Sequence, residues 1–287
     1  MLEEKGGVPV VGTVPYMDIK VEDEDSLSDR LTADQRDKVD IAVVRLPKIS
    51  NFTDFDVFEQ FPDVSVRYVS EPAGLEGADL VIIPGSKSTI ADLEWLRGRG
   101  LEDEIKRLSR QGVPVIGICG GYQMLGMEIS DPEGVEGGGE TEGMGLLPVA
   151  TVLSGDKRTA QFKGSVKNAG GVLETLNGLE VEGYEIHMGR TYTVGCDSHF
   201  AEDFTSDGTG VCLGNVYGSY IHGFFDKGEI ASAVVKALAD KKGAELSVSA
   251  AEDHRAFKEK EYDRLADTLR EHLDMDRVYG MLREAAF

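Results

Sequence analysis

The stretch Val113-Pro-Val-Ile-Gly-Ile-Cys119-Gly-Gly-Tyr-Gln-Met-Leu-Gly126 constrains the fold more than any other part of the chain. Its branched apolar residues Val113, Val115, Ile116 and Ile118 predict a strand buried on both faces, and such a strand needs helices on both sides of its sheet. The strand ends at Cys119, and Gly120 and Gly121 follow at once. Tyr122, Met124, Leu125 and Met127 then fit a helix packing back on the sheet. Strand, sharp turn and helix make a nucleophile elbow, with Gly117-x-Cys119-x-Gly121 as the thiol counterpart of Gly-x-Ser-x-Gly. Crowding explains the glycines, because side chains beside a strained turn would collide with the strand or the helix. A buried core thiol would account for the cysteine alone. The flanking glycines favour a nucleophile.

The chain has 287 residues, enough for one large domain or two small ones. Its 52 acidic and 30 basic side chains give a net charge of −22. Such an acidic field repels phosphate, which argues against binding to nucleic acid or to a membrane surface. Three cysteines, Cys119, Cys196 and Cys212, show no paired spacing and point to a reducing, cytoplasmic setting. Cys196-x-x-His199 could offer two metal ligands but lacks a second pair, so no metal site is expected. No apolar run reaches the length of a membrane span, and no signal-peptide core opens the chain.

Val8 to Pro15 reads as a single apolar strand that needs a sheet from elsewhere. Residues 1–38 are therefore expected to be the tail of a preceding domain with an acidic linker over 21–38, and residues 39–287 the main domain. From Val39 strands alternate with helices. Strands are expected at Val39 to Leu46, Val64 to Val69 and Asp79 to Pro84, with helices over Ile90 to Leu96 and Leu101 to Leu108. This alternation predicts an α/β fold with a doubly wound, mostly parallel sheet and a site at the carboxyl ends of its strands. Glu128 to Glu142, rich in Gly and Glu, reads as a mobile surface loop or flap. Leu146 to Leu153, Ala160 to Val166, Leu179 to His187 and Gly214 to His222 read as added short strands. Glu229 to Lys241 and Arg255 to Leu273 carry helical apolar stripes.

A thiol nucleophile needs a base, usually histidine. His254 and His272 fall on polar helical stretches, and His199 in an acidic loop. His187 and His222 each end an apolar strand, and spacing alone does not separate them. An acyl-transfer site also needs oxyanion donors, and Pro84-Gly85-Ser86 follows directly on a buried strand. Gly85-Ser-Lys-Ser-Thr89 is not a phosphate loop: that pattern needs adjacent Gly-Lys and a Gly five residues earlier, where Leu80 stands.

Together these residues resemble the class I glutamine amidotransferases, which have a flavodoxin-like fold. The resemblance implies Cys119 as nucleophile, His222 as base, and Gly85, Gly120, Tyr122 and Gln123 as oxyanion or substrate-binding positions. Where most members carry Glu two residues after the histidine, this chain has Phe224, as in the cobalamin-pathway branch. Arg45-Leu-Pro-Lys-Ile-Ser-Asn-Phe-Thr-Asp-Phe-Asp56, Leu80 to Thr89 and Gly183-Tyr-Glu-Ile-His-Met-Gly189 are similar to the amidotransferase halves of cobyric acid synthases. That implies L-glutamine as ammonia source and adenosylcobyrinic acid a,c-diamide as acceptor, amidated at b, d, e and g. It also implies a synthetase domain, in cis or as a separate chain, that uses ATP and Mg2+, while this chain itself binds no cofactor.

Glu185 and His187, two apart on a strand, share a face. They either line the glutamine or corrin side of a cleft or bond within the sheet. Asp226 could orient His222, although a helix N-cap is the more economical role. Competing readings are another cysteine hydrolase on this scaffold, such as a peptidase, the glutaminase half of an a,c-diamide synthase, and a non-catalytic regulatory subunit.

Overall fold

Six consecutive buried residues form β1 (Val39–Val44), the centre of a parallel sheet. In this computed structural model, residues 2–17, 19, 36–195, 201–248 and 250–285 are described. They divide into two units, residues 23–254 and residues 1–22 with 255–287.

In the larger unit β1 pairs in parallel with β3 (Val64–Val69) on one side and β4 (Leu80–Ile83) on the other. The sheet continues through β6 (Val115–Ile118) and β13 (Val216–Ser219), both parallel. Two antiparallel strands, β12 (Val211–Leu213) and β11 (Glu202–Asp203), close that edge. The doubly wound sheet expected from the alternation is present, with order β11-β12-β13-β6-β4-β1-β3. Helices flank it: α2 (Pro72–Leu75), α3 (Thr89–Gly98), α4 (Leu101–Arg110), α5 (Gly120–Leu125) and α6 (Gly228–Lys242). One polar residue interrupts the core of β1. Asp40 is paired to Arg67 at 2.6 and 2.7 Å and accepts a hydrogen bond from Ser65 Oγ, so its charge is compensated within the sheet.

The carboxyl ends of β1, β4, β6 and β13 lead into segments that line one crevice, where open α/β sheets place their sites. After β1 comes β2 (Ile49–Ser50), which pairs antiparallel with β5 (Gly85–Ser86) just beyond β4. A 3-10 helix follows at Phe52–Gln60.

A second sheet has the order β14-β10-β9-β7-β8. Its centre is a long antiparallel ribbon of β9 (Val149–Ser165) and β10 (Glu180–Thr193). The two short strands expected between Leu146 and Val166 are thus one strand. Exposed polar residues from Asp156 to Lys157 hide its continuity, because the ribbon is solvated there. The stretch read as one strand from Gly214 to His222 is instead divided at Tyr220. Its first part is β13, and its second, β14 (Ile221–His222), pairs with β10 in the other sheet.

The expected loop over Glu128 to Glu142 is a hairpin of β7 (Glu128–Asp131) and β8 (Gly139–Glu142). The Asp131 carboxylate organises its turn by accepting backbone N–H bonds from Val135, Glu136 and Gly138, each at 2.8 Å. β8 is almost wholly exposed, so no alternation of polarity marks it.

The smaller unit contains α1 (Leu2–Gly6), α8 (Met275–Ala285) and, from Arg255 onward, α7 (His254–His272). Val8 to Pro15 is not a strand: it makes one isolated bridge, Gly12 with Leu273, and Val8, Val10 and Val14 are exposed. An apolar run becomes a strand only where a sheet edge offers partners. Residues 255–287, expected with the main domain, group with this segment. Most of the acidic linker and the Cys196 to His199 pair lie outside the described residues. No helix among the described residues is long and apolar enough to cross a membrane.

Candidate active site

Cys119 holds φ 52° and ψ −110° between β6 and α5, a conformation that costs a non-glycine residue about 1–3 kcal/mol. The neighbours leave no room for relief. A Cβ on Gly121 would lie 2.0 Å from the Ile83 carbonyl oxygen, and one on Gly117 would lie 2.7 Å from that of Gly121. The elbow read from the sequence is therefore built as expected, and it lifts the sulfur to the carboxyl edge of the sheet. Sγ lies 3.7 Å from the Ile186 carbonyl oxygen of β10.

His222 reaches the same place from the strand that changes sheets. Its ring lines the same cavity as the Cys119 side chain. Its Nδ1 meets Asp54 Oδ2 at 2.7 Å, and Asp54 Oδ1 accepts the Gly223 N–H at 3.1 Å. With Nδ1 so occupied, Nε2 is the nitrogen left for the sulfur. Both His222 and Asp54 are buried. Burial disfavours the imidazolium, but Asp54 and Cys119 outweigh it and push the His222 pKa up to about 10. Tyr184 stacks on the ring, 5.4 Å between centroids, and its hydroxyl is held by Asn51 Nδ2 at 2.5 Å.

The carboxylate comes from the segment after β2, ahead of the elbow in the chain. Asp54 sits in the 3-10 helix after β2, inside the quoted Arg45 to Asp56 segment. Asp226 does not take this place, and Lys227 rather than Asp226 occupies the cap position of α6. Phe224 explains why no acid follows the histidine: its ring is buried against Phe204 and Phe225.

Cys119 and His222 open into a cavity of about 330 Å³, lined also by Ser50, Asn51, Ser86, Lys87, Gly120, Gln123, Glu136 and Lys157. That volume suits a small metabolite. Gly120 comes so near Ser86 that a Cβ would lie 2.9 Å from the Ser86 nitrogen. Gly85 itself lies beside His222 Cε1 and Ser50 Oγ, and its neighbour Ser86 lines the cavity in its place. Gln123 is held by Thr89, Tyr220 and the Met188 carbonyl. Tyr122 lies elsewhere, buried in the core against Gly218 and edge-on to Tyr220. Glu136 reaches the cavity from the hairpin turn, accepting the Thr89 N–H at 2.5 Å. Burial, with Asp131 and Asp92 nearby, raises its pKa against the lowering effect of Thr89. Glu185 is buried and paired to Arg158 Nε at 2.6 Å, while His187 lines the cavity wall.

Residues 40–230 match the CobB/CobQ-like glutamine amidotransferase domain. The chain belongs to this family. Among curated relatives of this amidotransferase, the cobyric acid synthase of Ruminiclostridium cellulolyticum is 46% identical over 96% of this chain and 55% of its own length. Those of Lachnoclostridium phytofermentans and Citrobacter koseri are each 42% identical, covering 96% and 99% of this chain and 56% and 57% of their own. The chain thus spans little more than half the length of these relatives. A solved glutamine amidotransferase superposes with a TM-score of 0.49 at 17% identity, over 71% of this chain and 99% of its own. Within the amidotransferase domain, Asp54, Glu136 and Lys157 are among the candidate-site residues that the sequence does not single out. The acidic Asp54-Phe-Asp56 stretch was a signal for the first. For the second there was none, since Glu136 sits among other glutamates of an exposed hairpin.

Proposed function

We propose that this chain is the glutaminase half of a cobyric acid synthase. The observation that carries the reading is the line Cys119–His222–Asp54 at the edge of a glutamine-sized cavity, in a chain of this family. Glutamine enters with its side-chain amide at Cys119 and its α-ammonium at Glu136, a desolvated carboxylate with one backbone donor. The α-carboxylate meets the cationic lining, Lys87 and Lys157. Sγ attacks the amide carbon while His222 holds the proton, and the oxyanion forms against the Gly120 and Ser86–Gly85 backbone. His222 gives its proton to the departing ammonia, leaving a glutamyl thioester. Water then attacks that carbon, His222 takes the water's proton, and glutamate leaves as the thiol re-forms. Asp54 keeps the imidazole oriented throughout.

Ammonia passes to a synthetase half that uses ATP and Mg2+ and belongs to the remaining length of the relatives. There it amidates corrin carboxylates, the b, d, e and g positions of adenosylcobyrinic acid a,c-diamide. The absence of Glu after His222 favoured a non-catalytic subunit, and Asp54 removes that support.

The test is glutamate release from glutamine by wild type, Cys119→Ser and His222→Ala, each with and without a synthetase partner. Loss in both variants, with stimulation of wild type by the partner, is expected. Turnover surviving in His222→Ala would refute the assignment of the base.

A further inference from the structure

A second cavity of about 510 Å³ adjoins the ribbon of β9 and β10. It shares Lys157 and His187 with the thiol cavity, so these two residues border both. Its lining carries three full cations, Lys157, Arg158 and Arg190, against the single carboxylate of Asp156, in a chain of net charge −22. Arg158 is neutralised by Glu185 at 2.6 Å. Among the described residues neither Lys157 nor Arg190 has a carboxylate within ion-pair distance. Unpaired cations gathered at one concavity of so acidic a protein form a local field for an anion.

The wall between the cavities adds an independent observation. The His187 side chain is 8% exposed and its ring stacks on Tyr220 at 3.7 Å between centroids. Its Nδ1 has no hydrogen-bond partner among the described residues, an uncommon state for a buried polar atom. Of the hydroxyls in this lining, Thr209 is bonded to Glu185 and Asp207 and Thr191 to Thr151 and Tyr220, so the cations and His187 are what faces an anion.

We propose that this second cavity binds a carboxylate group carried by the molecule that receives the ammonia, and that Lys157 and His187 transmit its occupancy to the thiol cavity. The acceptor clause rests on the glutaminase reading. The anion site stands on the cavity and its cations.

The experiment is calorimetric titration of the intact chain at low salt with tricarballylate, a short polycarboxylate, and with inorganic phosphate. Saturable binding of tricarballylate is expected, at least tenfold weaker in Arg190→Glu and weakened to a lesser degree in Arg190→Gln. Alkylation of Cys119 by a γ-electrophilic glutamine analogue should proceed equally in wild type and Arg190→Glu without the anion. Adding tricarballylate should change the rate in wild type alone. Binding that is absent, or unchanged in Arg190→Glu, overturns the site. Phosphate binding more tightly than tricarballylate overturns the ammonia-receiving molecule as its source, and mutually exclusive binding of the probe and glutamine, with no complex holding both, makes the cavity an extension of the glutamine site, against the proposal. An alkylation rate indifferent to the anion overturns the coupling. Failure of the glutaminase reading would look different: no alkylation of Cys119, with anion binding intact.

Discussion

The imidazole of His222 is held by Asp54 at one nitrogen, with Tyr184 stacked on its face. Replacing Asp54 with Asn keeps the shape but removes the charge, and it allows the ring to adopt the wrong tautomer. We expect glutamine hydrolysis by Asp54→Asn to fall by about a hundredfold or more in kcat/KM, on the scale of other triad carboxylates; steady-state glutamate release checks this. The same pair has a signature in stability. The His222 pKa is raised from 6.5 to about 10 in the folded protein. Below about pH 6.5 both states bind the proton and its stabilisation is fully present; between the two values only the folded state keeps it. Stability therefore declines as pH rises through this window and the contribution is gone above about pH 10. Denaturant midpoints measured from pH 6 to pH 10 should show this decline in wild type and a flatter profile in Asp54→Asn. A third expectation concerns Glu136. Glu136→Gln should raise the KM for glutamine about tenfold or more with a smaller change in kcat, since it contacts the α-ammonium in the proposed mode and not the reacting carbon. Equal losses in both parameters would count against that placement.

At the level of elements, the site depends on β14 leaving one sheet for the other. Gly183 permits that crossing: a Cβ there would sit 2.2 Å from the His222 carbonyl oxygen and 2.7 Å from Ile221 Cγ2. Gly183→Ala should push β14 off β10 and displace the imidazole, lowering kcat/KM about tenfold or more. Overpacking of this kind costs about 1–3 kcal/mol, so thermal melting should still be cooperative at a lower midpoint. Unchanged activity would show that β14 is not held by this contact. The elbow and the parallel strands were legible because their side chains are buried on both faces, leaving continuous apolar runs such as Val39 to Val44 and Leu80 to Ile83. The long ribbon and the Glu128 to Glu142 hairpin were not. Their registers are set by cross-strand hydrogen bonds and by the Asp131 carboxylate, which leave no periodic trace in a polar sequence. The Asp54-Phe-Asp56 stretch showed an acid there but not its role, because the partner of Asp54 lies 168 residues away.

For the whole molecule, the chain spans 55–57% of the three cobyric acid synthases compared above. Under the proposed function it should release glutamate without ATP, whereas corrin amidation should need the other half. Supplying the amino-terminal part of a relative should restore ATP-dependent amidation, followed by mass spectrometry of the corrin, and should fail with Cys119→Ser unless free ammonia is added. Rescue of Cys119→Ser by ammonia would separate the glutaminase from the synthetase. Failure of the wild-type pair would show that the two parts do not communicate as pieces.

The placing of the carboxylate well ahead of the nucleophile in chain order bears on how this protein can be cut. A shortened gene product starting between Phe55 and Val115 would keep the Cys119 and His222 motifs in its sequence but lose β1, the centre of the parallel sheet, along with Asp54. Nicking and circular permutation keep β1, and for them the segment leaving it is decisive: a new terminus opened there should free the imidazole from its anion while leaving the thiol in place.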